Sequence, residues 1–188
     1  MTVAAKRPVA ERPVAVRLSH VGLYVRDAAK MVAFYRDFLG FLETDRGSLP
    51  HGDLVFLSRD PGDHHQLVLA TGRPEGIPDR ILNQLSFRVD SLAELKRFYE
   101  QLLSAPVTDI EPVTHGIAWS VYFRDPEGNR IEVFADTPWY IHQPHRSPID
   151  LTRPVEEIYE QTRALCATQP ECRPFAEWRG ALAERLAQ

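Results

Sequence analysis

The chain has 188 residues, of which 44% are hydrophobic and 26% charged, and it carries a formal net charge of -4. This length and composition are those of a compact folded unit rather than a disordered chain. Because the Lys and Arg residues are dispersed and the net charge is negative, nothing favours a nucleic acid or an anionic membrane as a partner.

Targeting segments are not predicted either. No apolar run reaches the roughly 18 to 20 residues that a membrane helix needs. The segment 1–17 lacks the apolar core of a secretory signal and has prolines among small and charged residues, which is typical of a flexible arm. We therefore expect a cytoplasmic enzyme or binding protein.

The first half of the chain predicts one strand, one helix and three further strands. HVGLYV (20–25) has strand composition, and segment 26–40 follows with apolar side chains at helical spacing. Three short strand-like runs come next, at 41–46, 53–59 and 64–70. The predicted order is βαβββ.

The second half repeats this order. A strand is predicted at 83–89 and a helix at 90–104. Three more candidate strands lie at 106–113, 117–123 and 130–135. Overlaying the halves aligns Val25 with Val89 and the FYR of 34–36 with the FYE of 98–100, an internal repeat of roughly 64 residues. We predict an α+β fold of two tandem βαβββ modules, at about 18–72 and 81–137.

The tail, 138–188, differs in kind. A proline-broken segment precedes two helical stretches, at about 154–167 and 174–187. Their apolar residues need a surface, so we expect them to pack on the core or on a second subunit, and we expect a homodimer. Cys166 and Cys172 lie in this tail, away from the histidine-containing segments, and are predicted to be free thiols.

The segment VTHGIAWSVYFRDPEGNRIE (113–132) carries the sharpest chemical signal. Glu132 interrupts an otherwise apolar strand, where a buried carboxylate is costly unless a cation or hydrogen-bond donors compensate it. His20 starts the first strand of one module as Gln84 starts that of the other, so the pairing of the modules would bring these ends and Glu132 together. A histidine, a glutamate and a neutral donor suit Fe(II), Mn(II) or Zn(II).

With these residues the chain resembles the vicinal-oxygen-chelate (glyoxalase/bleomycin resistance/extradiol dioxygenase) superfamily, most closely its single-domain type I extradiol ring-cleavage dioxygenases. The resemblance covers about residues 18–137, and segment 113–132 fits the extradiol signature from its His to its final Glu. It implies a cupped mixed sheet around a metal site, with Fe(II) as the metal and Mn(II) or Zn(II) as the alternatives.

The resemblance also implies roles for individual residues. His20 matches the first metal ligand and Glu132 the carboxylate ligand, while His65 matches the acid/base histidine. His115 and Tyr122 match residues that hydrogen-bond the substrate or oxygen. The implied reaction opens a catechol-like aromatic next to its diol with O2.

One position departs from the family pattern. Where the second ligand histidine is expected, this chain has Gln84, whose carbonyl oxygen is a weaker donor than imidazole. Three interpretations stay open: Gln84 itself completes the metal site, His65 or His64 supplies the missing nitrogen, or the site binds metal poorly and the oxygenase chemistry is lost. Two other functions therefore stay open beside ring cleavage: an oxygen-independent isomerase or lyase of the same fold, and a protein that binds an aromatic ligand without turnover.

Overall fold

The structure, a computed structural model, describes residues 19–50, 52–60, 64–73 and 82–186. The predicted N-terminal arm, residues 1–17, lies outside the described residues, as does most of the segment that joins the two predicted modules.

The first half of the described chain forms module one. Its elements are Val21–Val25 (β1), Ala28–Ala33 (α1), Leu42–Leu49 (β2), Gly52–Ser58 (β3) and Leu67–Thr71 (β4). The strands form one sheet in the order β1-β4-β3-β2. β1 runs parallel to β4, and the other neighbours are antiparallel.

Module two repeats this arrangement. Its elements are Leu85–Arg88 (β5), Leu92–Leu102 (α2), Thr108–Thr114 (β6), Ala118–Arg124 (β7) and Arg130–Asp136 (β8). The order β5-β8-β7-β6, with β5 parallel to β8, matches the order in module one. The predicted α+β fold with a repeated βαβββ order is thereby confirmed.

The repeat extends to the side chains that start the two helices. The Asp27 carboxylate accepts a hydrogen bond from the backbone N–H of Lys30 at 2.9 Å. Ser91, at the matching position, accepts one from the backbone N–H of Glu94 at 3.2 Å. Each cap satisfies an N–H that has no partner within its helix, and so fixes where the chain turns from strand to helix.

The first helix differs from its prediction. The sequence predicts one helix over 26–40, whereas in the structure α1 continues as a π-helical segment, Phe34–Phe38. The backbone N–H of Leu39 donates to the carbonyl of Phe34, five residues back, at 3.3 Å. This wider turn leaves the neighbouring Phe34 and Tyr35 both buried. An apolar pattern does not separate α- from π-helical spacing over so few residues.

One hydrophobic core joins the modules. The ring centroids of Phe38 and Phe98 lie 5.6 Å apart, and those of Phe41 and Phe87 5.8 Å apart. A polar contact adds to this packing, because Glu127 of module two accepts hydrogen bonds of 2.7 Å from the backbone N–H groups at 26 and 27 of module one. The first strands of the two modules are thus held in one packed unit.

The tail packs on module two. Its elements are Trp139–Tyr140 (β9), Ser147–Pro148 (β10), Val155–Ala167 (α3), Arg173–Pro174 (β11) and Phe175–Leu186 (α4). β10 extends the module-two sheet beside β6, and β9 pairs with β11. The indole N–H of Trp119 on β7 donates to the hydroxyl of Thr162 on α3 at 2.7 Å. In the described part of the chain, no helix is long and apolar enough to cross a membrane.

Candidate active site

Glu132 lies on the face of the module-two sheet that points away from the core. Its neighbours along β8, Ile131 and Val133, belong to the hydrophobic core, so the alternation of the strand turns Glu132 to the opposite face. It is paired with Ser86 on β5 and with Tyr122 on β7, which puts the three side chains in one row. Glu132 is nevertheless only 7% exposed. We call this surface the site face.

The Glu132 carboxylate is held by neutral donors. Its Oε2 accepts hydrogen bonds from Nε2 of Gln84 at 2.8 Å and from the hydroxyl of Ser86 at 2.6 Å. Nε2 of His115 lies 3.8 Å from Oε1, beyond hydrogen-bonding distance. Neutral donors offset part of the desolvation cost and leave the negative charge itself unbalanced, so the site favours a cation.

His115 and Tyr122 form a second polar pair on the site face. Nε2 of His115 lies 2.9 Å from the Tyr122 hydroxyl, and Nδ1 lies 2.7 Å from the backbone carbonyl of His145. Because a carbonyl only accepts, Nδ1 carries the hydrogen, and in the neutral imidazole Nε2 accepts from the phenol. Burial, and next the neighbouring Glu132 carboxylate, raise the pKa of Tyr122 far above its ordinary value. Tyr122 is therefore a neutral donor.

The segment 137–145, which we call the strap, holds the loop that carries His115. Nε2 of Gln143 donates to the backbone carbonyl of His115 at 2.8 Å. Gly116 has a φ of 74°, and a Cβ there would collide with the side chain of Ile141. The strap thus fixes the backbone at His115 through Gln143, and it fixes the His115 imidazole through the backbone carbonyl of His145. Apart from the glycine itself, no local sequence pattern indicates these contacts.

Two of the predicted site histidines lie together in module one. The rings of His20 and His65 lie 4.3 Å apart between centroids, just ahead of the parallel strands β1 and β4. Nδ1 of His64 lies 3.0 Å from Nδ1 of His65, and the Phe56 ring lies 5.0 Å from that of His65. The predicted ligand and the predicted acid/base histidine are therefore neighbours.

The repeat shows how the modules differ at matching positions. Gly22 pairs with Val68 in module one as Ser86 pairs with Glu132 in module two, so Val68 takes the place of the carboxylate. By the same offset, His20 corresponds to Gln84. At equivalent positions, module two therefore has an amide and a carboxylate where module one has an imidazole and an apolar side chain.

The predicted metal ligands are brought together only in part. Gln84 and Glu132 are in contact, whereas His20 contacts His65. Among the residues that the structure describes, no three or more His, Cys, Asp and Glu side chains are grouped so as to hold a metal ion. The donor types suit a divalent cation, and the unbalanced charge of the buried Glu132 fits one. Ligation by Gln84 would require its amide to turn, because its NH2 group now faces Glu132.

The arrangement of strands defines the class of protein. A solved structure of a glyoxylase/bleomycin resistance protein/dioxygenase domain from Frankia sp. EAN1pec aligns with a TM-score of 0.57 and 26% identity, over 65% of this chain and 93% of that one. The fosfomycin resistance protein FosX from Listeria monocytogenes shares the fold, with a TM-score of 0.52 and 21% identity over 66% of this chain and 95% of that one.

The family follows from the sequence as a whole. The family model of the Glyoxalase/Bleomycin resistance protein/Dioxygenase superfamily matches residues 17–133, and the chain belongs to this superfamily. The resemblance inferred from the motifs is thus confirmed.

Curated relatives include proteins named as ring-cleavage dioxygenases. Biphenyl-2,3-diol 1,2-dioxygenase 3 of Rhodococcus globerulus is 30% identical over 125 residues, 64% of this chain and 63% of the relative. Metapyrocatechase of Geobacillus stearothermophilus is 29% identical over 164 residues, 77% of this chain and 44% of the relative. The chain spans less than two thirds of the length of either relative.

Proposed function

We propose that the chain is a metal-dependent extradiol-type dioxygenase that opens a catechol-like aromatic next to its diol with O2. The observation that carries the proposal is the row of polar groups on the site face, where the buried Glu132 lies beside Tyr122 and Tyr122 is bonded to His115. The dioxygenases among the curated relatives support it.

The residues proposed to hold the metal are His20, Gln84 and Glu132. Fe(II) is the first candidate, and Mn(II) or Zn(II) are the alternatives. A divalent metal bound there would supply Lewis acidity toward the two hydroxyls of the diol. Glu132 contributes the anionic ligand that such an ion prefers, and the Ser86 hydroxyl orients its carboxylate.

The other residues are assigned to proton handling. Imidazole exchanges protons near neutral pH, and His65 lies beside the proposed ligand His20, so we assign it to accept a proton from the diol and return it. Tyr122 stays protonated, and when its O–H turns from His115 to the substrate it donates to negative charge that develops there. His115 orients that phenol, and the strap orients His115.

A second candidate is an oxygen-independent isomerase or lyase of the same fold. The observation that favours it is Gln84, which offers an amide where the extradiol pattern has an imidazole. An aromatic-binding protein without turnover is the third alternative. Both alternatives would use the same site face as the first proposal and would differ from it in oxygen consumption.

The experiment that separates them is reconstitution of the full chain with Fe(II) under anaerobic conditions, followed by a panel of catechols and then oxygen. We expect oxygen uptake matched by the absorbance of a ring-fission product, and neither in Glu132→Ala. Stoichiometric iron without oxygen uptake across the panel would contradict the dioxygenase proposal. Binding of aromatics by a preparation that retains no metal would favour the third alternative.

A further inference from the structure

A cavity of about 470 Å³ lies beside Tyr122, next to the row of polar groups described above. Its charged lining consists of three arginines and two carboxylates, Arg124, Arg130, Arg146, Asp109 and Glu111. Glu111 pairs with Tyr122 across β6 and β7, so both belong to the site face. The cavity and the proposed reaction centre therefore share the Tyr122 side chain.

The charges of the cavity do not cancel. Arg124 pairs with Asp109 at 3.2 Å, and Arg146 pairs with Glu111 at 2.5 Å. Arg130 has no carboxylate partner within the described ranges, and its guanidinium carbon lies 4.1 Å from the centroid of the Tyr122 ring. Among the described residues, one guanidinium of the cavity thus has no carboxylate in contact with it.

The position of this charge relative to the reaction centre follows from the strand. Arg130 and Glu132 are two residues apart on β8 and point to the same face, which places them roughly 7 Å apart along the strand. Tyr122 on β7 pairs with Glu132, its hydroxyl bonds to His115, and its ring contacts Arg130. One aromatic ring with a short substituent is of the length needed to reach from Glu132 to Arg130.

We propose that this cavity is a subsite for a carboxylate on the substrate, with Arg130 as the residue that binds it. The substrate class is then an aromatic diol that carries an anionic side chain, and this rests on the ring-cleavage function proposed above. The planar guanidinium matches a carboxylate with two parallel hydrogen bonds, and stacking on Tyr122 holds it in one plane. The guanidinium carbon of Arg146 lies 5.0 Å from the same ring centroid, but Glu111 offsets its charge, so Arg130 is the guanidinium available to a carboxylate.

The test is anaerobic calorimetric binding of two diols of similar size to the full chain. 3,4-Dihydroxyphenylacetate carries a carboxylate and 4-ethylcatechol does not. We expect the wild type to bind the carboxylated diol about 10- to 100-fold more tightly, as a charged hydrogen-bonded pair implies. Arg130→Gln should abolish this preference, so that the two diols bind with affinities within about twofold of each other.

Two further variants control for charge and folding. Arg163→Gln removes the same charge from α3, where Arg163 is 61% exposed and paired with Glu160, and should leave the preference intact. Arg130→Lys keeps the charge without the planar fork and should retain part of the preference.

Three results would overturn the subsite: equal affinities of the wild type for the two diols, a preference that persists in Arg130→Gln, or no binding of the carboxylated diol. Because binding is measured without oxygen, the result is independent of ring cleavage. An Arg130-dependent preference in a protein that consumes no oxygen would refute the dioxygenase proposal and leave the subsite standing.

Discussion

His115 and Tyr122 are joined by a hydrogen bond of 2.9 Å, and the carbonyl of His145 determines which imidazole nitrogen carries the hydrogen. The two residues therefore act as one hydrogen-bonded unit rather than as two independent groups.

If this unit stabilises charge during ring cleavage, Tyr122→Phe should lower kcat by about 100-fold and change KM little, because the lost hydrogen bond strengthens only as charge develops. His115→Gln should have a similar effect. The double variant should lose much less than the product of the two single losses, since the pair acts together. Steady-state kinetics normalised to iron content would measure this.

Tyr159→Phe is the control for that series, because Tyr159 lies on α3 and packs on Trp139. Strictly multiplicative losses in the double variant would mean that His115 and Tyr122 contribute separately.

Metal retention should respond in opposite directions to two substitutions. Gln84→His should raise iron content after gel filtration, because imidazole is a better ligand for Fe(II) than an amide. Glu132→Ala should abolish retention, because it removes the anionic ligand. Elemental analysis gives the occupancy, and Ser86→Ala, which removes only one hydrogen bond to Glu132, should lie near the wild type. Full occupancy in Glu132→Ala would overturn the proposed site.

Alanine substitutions at two glycines distinguish the cost of backbone strain from the cost of a steric collision with a neighbouring side chain. Gly116 and Gly128 have φ values of 74° and 83°, but a Cβ at Gly128 would meet no described atom within 4 Å. Gly128→Ala should therefore lower the free energy of unfolding by only about 1 to 2 kcal/mol, from left-handed strain alone. Gly116→Ala should cost about 1 to 3 kcal/mol more, from the collision with Ile141. Urea denaturation of both variants measures the difference, and equal losses would show that the strap yields to the added methyl.

The attachment of α3 to the sheet depends on a buried hydrogen bond. Thr162→Val leaves the indole N–H of Trp119 without its acceptor and should lower the free energy of unfolding by about 1 to 3 kcal/mol. Thr168→Val, at the exposed end of the same helix, should change it by less than about 0.5 kcal/mol. Chemical denaturation measures both values. Equal free energies of unfolding for the two variants would mean that water replaces the Thr162 hydroxyl as the acceptor for Trp119.

Alkaline stability should depend on Tyr35. Burial, and then the Asp125 carboxylate that its hydroxyl contacts at 3.3 Å, raise the pKa of Tyr35 well above its ordinary value. The folded protein therefore keeps a proton that the unfolded chain releases above about pH 10. The stabilisation is complete below that pH and is lost as the pH rises, by about 1.4 kcal/mol per pH unit.

Tyr35→Phe should remove this dependence and cost about 1 kcal/mol at pH 7 through the lost hydrogen bond. Denaturation curves between pH 8 and about 11.5 would measure both effects. Tyr24→Phe is the matched control, since Tyr24 is 64% exposed. An unchanged alkaline slope in Tyr35→Phe would assign the dependence to other groups.

The fold was predictable because its strands and helices follow from local sequence patterns. The apolar periodicity and the repeat of about 64 residues gave both modules and the positions of their helices. Glu132 was also predictable, because a carboxylate in an apolar strand needs a compensating partner. Ser86 could have been found as that partner by alternation, since it lies two residues after Gln84 on the same face.

Other parts of the site depend on contacts that no local pattern encodes. The hydrogen bond from His115 to the carbonyl of His145 joins positions 30 residues apart and uses a backbone group that every residue has. The pairing of His20 with His65 likewise depends on the parallel contact of β1 with β4. The division of the chain into the arm, the segment 18–137 and the tail stays a prediction, as does the homodimer.

The strap has a consequence for how such a site can diverge. The superfamily match ends at residue 133, whereas the groups that set the orientation of His115 lie at 137–145. Substitutions in this tail can therefore change the orientation of the His115 imidazole while every residue of the shared region stays the same. A chimera that joins this superfamily region to the tail of another member would inherit the donor residues of this chain and the histidine geometry of the other.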